Sequence, residues 1–106
     1  MPRLPINATI SGYHFKRTGS TEAYDTQPAY QNVNACVSPT GTDYQPSGEV
    51  LSFQLFEIFL YDVTITVKPG DKLITQDTQT YIVDGVPFVM NQTYLRYIRC
   101  MGHQLV

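Results

Sequence analysis

The stretch Lys72-Leu73-Ile74-Thr75-Gln76-Asp77-Thr78-Gln79-Thr80-Tyr81-Ile82-Val83-Asp84-Gly85-Val86 decides the fold. Lys72, Leu73 and Ile74 begin an extended run, the polar Gln76-Asp77-Thr78-Gln79 suits a hairpin tip, and Thr80 to Val86 runs back, rich in aromatic and β-branched residues. Just upstream, Lys68-Pro69-Gly70-Asp71 has Pro and Gly at turn positions. Before that turn, Val63, Ile65 and Val67 alternate with Thr64 and Thr66, which predicts another short strand. Downstream, residues 87–93 read as a polar-flanked connection. Tyr94-Leu95-Arg96-Tyr97-Ile98-Arg99-Cys100-Met101 reads as the last strand, ended by Gly102.

The earlier chain extends this pattern. In Glu49-Val50-Leu51-Ser52-Phe53-Gln54-Leu55-Phe56-Glu57-Ile58-Phe59-Leu60 the first half alternates, with Leu51, Phe53 and Leu55 inward and Ser52 and Gln54 outward. Leu51, Leu55 and Ile58 would also share a helical face, but the aromatics and the alternation favour a strand. Residues 56–61 are apolar on both faces, which suits a place between two layers or at a subunit contact. Val33, Ala35 and Val37 face away from Asn32 and Asn34, the pattern of a half-buried strand. Ser38-Pro39-Thr40-Gly41-Thr42-Asp43-Tyr44-Gln45-Pro46-Ser47-Gly48 has two prolines, two glycines and no aliphatic residue. It reads as a loop, and loops of that length in compact domains are usually functional or mobile. Residues 1–30 read as an extended arm on the domain surface, with one weak strand near residues 9–16 and a turn at Thr18-Gly19-Ser20-Thr21. The expected organisation is an arm over 1–30 and a β-domain over 31–106. Short strands at roughly ten-residue spacing, with turns between them, give an all-β fold: a small single-domain β-barrel or sandwich.

A chain of 106 residues holds one domain. With 42% hydrophobic and 15% charged residues, wholesale disorder is disfavoured. The net charge of −2 disfavours tight DNA or RNA binding, which relies on a basic excess. The apolar run at 51–61 is broken by Ser52, Gln54 and Glu57 and falls short of a membrane helix, and Met1-Pro2-Arg3-Leu4-Pro5 has no apolar signal region. A soluble protein that stays in the compartment where it is made is expected. Cys36 and Cys100 are then expected to be free buried thiols, and neither stands near enough to His14 or His103 to suggest a metal site.

Little in the chain points to catalysis. Asp71, Asp77 and Asp84 stand at turns or strand ends, where Asp commonly bonds its own backbone. Ser20 and Ser47 lack a local histidine base, and Cys36 in an alternating strand is expected to be buried rather than paired with His14 or His103. Residues 41–46 lack the lysine and following helix of a phosphate loop. No catalytic residue, cofactor or metal is assigned. The eight tyrosines are scattered, as interface and edge residues are. Between Arg17 and Lys68 there is no Lys or Arg, while Glu22, Asp25, Asp43, Glu49, Glu57 and Asp62 all fall there. This is either a solvated acidic face or a surface that lets nucleic acid slide past.

Two segments together resemble the small head–tail connector proteins of tailed bacteriophages, of the head-closure or stopper type. One is the Gly70-Asp71 turn followed by the Tyr81-Ile82-Val83-Asp84-Gly85-Val86 hairpin strand. The other is Ala35-Cys36-Val37-Ser38-Pro39 with the Pro- and Gly-rich segment after it. The similarity spans about residues 31–101, and Gln76-Asp77-Thr78-Gln79 stands where that family often has a glycine. The resemblance implies a small β-barrel that forms a homo-oligomeric ring in the virion neck. The ring would lie between the capsid portal or adaptor and a tail-terminator or tail protein, after assembly in the host cytoplasm. DNA would pass through its channel without tight binding, and no membrane is involved. Residues 38–48 would be the channel loop, and Phe56, Ile58, Phe59 and Tyr61 would lie at the subunit interface. The rival readings are a tail-terminator or adaptor ring, and, from another class, a β-barrel module for oligosaccharide or single-stranded nucleic acid. The last needs aromatics beside basic residues, and strand alternation splits Tyr94 and Arg96 from Tyr97 and Arg99.

Overall fold

The computed structural model describes residues 5–18, 21–43 and 53–105. It is all-β, with β1 (Ala8–Tyr13), β2 (Phe15–Thr18), β3 (Thr21–Tyr24), β4 (Tyr30–Asp43), β5 (Phe53–Leu60), β6 (Lys72–Thr75), β7 (Thr80–Gln92) and β8 (Leu95–Leu105). Six strands close an antiparallel barrel in the order β1-β4-β5-β8-β7-β6, and β2 and β3 form a separate hairpin. Each stave sends alternate side chains inward: Ile10, Val33, Ala35, Ile58, Leu60, Leu73, Val83, Ile98 and Cys100 form the core. Six staves enclose only a narrow interior, and these side chains occupy it. Gly12 is needed for that closeness. A Cβ there would stand 2.0 Å from the Tyr30 ring, which lies across it from the paired position on β4.

The arm expected over residues 1–30 is in part a stave. Ala8–Tyr13 pairs with β4 on one side and β6 on the other, and Ile10 is fully buried. Its apolar positions are spaced irregularly because the ladder slips between Ile10 and Gly12, which blurs the alternation. The strand expected at Val63, Ile65 and Val67 is absent. These side chains pack on the core, but the segment has no strand partner and turns where Asp62 accepts bonds from the Thr64 amide and hydroxyl. Alternation there reports which side chains touch the core, not a ladder. Of the inward set expected in β5, Leu55 does not face the core, whereas Phe56, Ile58 and Leu60 do; Leu51 and the Phe53 side chain lie outside the described residues. Residues 87–92 are strand rather than connection, and Gly102, buried inside β8, does not end it.

The registers place two long hairpins at opposite ends. β1 stops pairing with β4 at Ala35, so β4 and β5 run on together to Asp43 and Phe53. β6 stops pairing with β7 at Ile82, so β7 and β8 run on, the other way, to Gln92 and Leu95. The β2–β3 hairpin sits at this second end, tied by the Asp25 amide donating to His14 O and by Tyr24 OH donating to Gly70 O.

Candidate functional site

The segment assigned to a channel loop divides in two. Ser38, Pro39, Thr40, Gly41, Thr42 and Asp43 belong to β4, while Tyr44, Gln45, Pro46, Ser47 and Gly48 lie outside the described residues. β5 offers a continuous partner, and a register shift between Pro39 and Gly41 absorbs the proline, so weak strand formers are drawn into the ladder. Past Ala35, β4 keeps only β5 beside it, and β5 stays paired to β8 as far as Leu55; among the described residues, 42–43 and 53–54 alone run on as a two-stranded ribbon.

The four residues assigned to a subunit interface also separate, because β5 alternates. Ile58 is fully buried in the barrel, and Phe56 packs edge-on against Tyr81, with ring centres 4.9 Å apart. Ile58 is therefore closed to another subunit, while Phe56 is partly buried and lines a surface hollow with Tyr81. Phe59 and Tyr61 face outward. Phe59 meets Tyr97 of β8 edge-on at 5.2 Å, and the Tyr61 hydroxyl donates to Pro5 O at 2.7 Å. With Pro5, Cys36 and Leu95 they line an apolar hollow of about 320 Å³ on the outside of the barrel. Burial raises the Tyr61 hydroxyl above its ordinary range.

Beside this hollow stands the free part of the β7–β8 hairpin, a feature that the sequence reading dissolved into a connection. Val86, Phe88, Val89 and Tyr94 there are 52–86% exposed. Directly opposed residues share a face of a sheet. Val89 opposes Ile98, a core residue, so it belongs to the inward face; Arg96, two residues from Ile98, shares that face. The hairpin thus carries the barrel's inner face out past the last stave that could cover it. Met90 opposes Tyr97, and Phe88 opposes Arg99, on the outer face. Arg99 donates to Glu57 at 2.7 Å, whereas among the described residues Arg96 reaches the Gln92 carbonyl and no carboxylate.

The second-end closure holds a polar cluster built on Asp71, which is fully buried. His14 Nδ1 lies 3.0 Å from both carboxylate oxygens, Tyr30 OH donates at 3.1 Å and the Lys68 amide at 3.0 Å. The expected turn bond is present, and two long-range partners join it. The signal was readable: 71, 73 and 75 are alternate positions leading into β6, and Leu73 and Thr75 point inward. Burial, with the Asp71 charge, drives the Tyr30 hydroxyl far above its ordinary range. Burial also pushes the Cys100 thiol up to about 12. Cys100 and Cys36 are both free, but Cys36 is only half-buried.

No family model matches the chain, and no curated protein matches it. Among solved structures, the phage-like element PBSX protein xkdH of Bacillus subtilis is similar in fold: TM-score 0.61, 14% identity, 92% of each chain covered. A chain from the virion of a native gene transfer agent particle is similar too: TM-score 0.66, 16% identity, 98% of this chain and 99% of that one covered.

Proposed function

We propose that this protein is a structural component of a phage or phage-like virion, working in the neck as a homo-oligomeric ring between the capsid portal or adaptor and the tail. The observation that carries this reading is the end-to-end likeness in fold to a virion chain, with nearly all of both chains superposed. A likeness confined to a core barrel would have left room for a different trade built on the surroundings. Here the projecting hairpins are inside the matched length.

Assembly, not chemistry, fits the surfaces. Aromatic and aliphatic side chains stand outside the barrel where a lone monomer gains nothing from them. In this reading the β4–β5 hairpin faces the DNA channel. Its connecting residues, 44–52, have no Lys or Arg, which lets a polyanion pass without being held. Stopper is preferred to terminator or adaptor on the Gly70-Asp71 turn and hairpin signature.

The test is to tag the chain, purify particles and locate the tag by electron microscopy. Density at the junction of capsid and tail is the expected result. Particles that carry the tag elsewhere, or not at all, would overturn the neck assignment.

A further inference from the structure

Where β7 runs on past Ile82 without β6 beside it, its inner face is left open among the described residues. Val89 is 54% exposed although it continues the row of Ile98, which is 1% exposed. The same chain has an apolar hollow on the outside of the barrel, walled by Phe59, Tyr61 and Tyr97, with Cys36 at its side. The hairpin cannot fill its own hollow, because Tyr97 and Leu95 of β8 help to form that wall from the opposite face of the strand. A second copy can.

Charge selects the same pairing. Around the hollow Glu57 is already neutralised by Arg99, while Asp62, next to Tyr61, is partnered by Thr64 and by no cation among the described residues. The Thr64 bonds hold the Asp62 carboxyl below its ordinary range, so it stays charged. On the hairpin, Arg96 lies on the Val89 face and makes no ion pair among the described residues.

We propose that the free half of the β7–β8 hairpin of one copy seats its Val89 face in the Phe59–Tyr97 hollow of the next copy, with Arg96 of the first meeting Asp62 of the second. Knob and hollow are different surfaces, so the contact is head-to-tail and propagates until a ring closes. The inference rests on the ring reading above and names the surface that would build it.

Cys36 makes the contact measurable. A disulfide forms only where two Cα atoms come within about 7 Å. Val89→Cys, placed outside the core, should form a ladder of cross-linked dimers, trimers and larger species under mild oxidation. Adding Cys36→Ser should abolish that ladder. Arg96→Asp should lower its yield roughly tenfold, the factor for a pair worth about 1.4 kcal/mol. Arg96→Asp with Asp62→Arg should restore it. Bands independent of Cys36, or a series that stops at dimer, would overturn the proposal. Closed oligomers by native mass spectrometry without a Cys36-dependent ladder would overturn this contact and leave the ring reading standing. A chain with neither ladder nor oligomer overturns the contact, and the particle labelling then decides the ring separately.

Discussion

Removing the Asp71 carboxylate leaves the Tyr30 hydroxyl and the Lys68 amide without their acceptor at the buried barrel end. Each buried donor so orphaned costs on the order of 1–3 kcal/mol, so Asp71→Ala should destabilise by about 3 kcal/mol, read as a lower urea midpoint. Asp71→Asn keeps an acceptor and should cost less. Gly12→Ala attacks the same joint sterically. Its Cβ would meet Tyr30, whose ring is pinned by the bond to Asp71, and a cost of about 2 kcal/mol is expected. Once Asp71 is gone the ring can give way, so the double variant should cost less than the sum. A fully additive pair would mean that Tyr30 is held by something else. The inward position of Asp71 could be read from the 71, 73, 75 alternation. His14, 57 residues away, could not: no local pattern states which turn closes over which strand end.

Strands that pair over their whole length were legible, and strands that outrun their neighbours were not. The hairpin of β6 and β7 has its polar tip where the sequence put it, at residues 76–79. Residues 38–43 carry loop composition and 87–92 read as a connection, yet both are strand because β5 and β8 continue opposite them. Val63, Ile65 and Val67 err in the other direction, apolar at every second position but with no neighbour to bond. This division predicts a stability contrast along one sheet. Phe88, half-exposed on the projecting hairpin, should tolerate Phe88→Ser with a loss below about 1 kcal/mol. Ile98, buried one register step away, should lose about 3 kcal/mol as Ile98→Ala. Equal losses in urea unfolding would mean that the hairpin is part of the folded core. Normal monomer stability in Phe88→Ser is what an element kept for a partner requires.

The barrel as a whole was legible as a class but not as a topology, since neighbours such as β1–β6 and β4–β1 are joined by registers that no nearby residue encodes. Closure has one consequence that only the whole molecule shows, in alkali. The Cys100 thiol is held protonated by burial, with the Asp71 charge adding to it, up to about 12. Tyr30 is raised by burial and by Asp71, and Tyr24 and Tyr81 are raised mainly by burial. In the unfolded chain thiols ionise near about 8.5 and phenols near about 10. Above those values the unfolded state has released protons that the native state still binds, so stability falls as pH rises. The contribution of these groups is complete below about pH 8.5 and shrinks upward, by about 1.4 kcal/mol per pH unit for the thiol alone. Urea midpoints should therefore be level near neutrality and decline from about pH 9, steepening once phenols ionise near about pH 10. Cys100→Ala should remove the first part of the decline and leave the second, whose source is the tyrosines. A midpoint that stays level through both ranges would mean that these groups reach water in the native barrel, and the closed core would then be wrong.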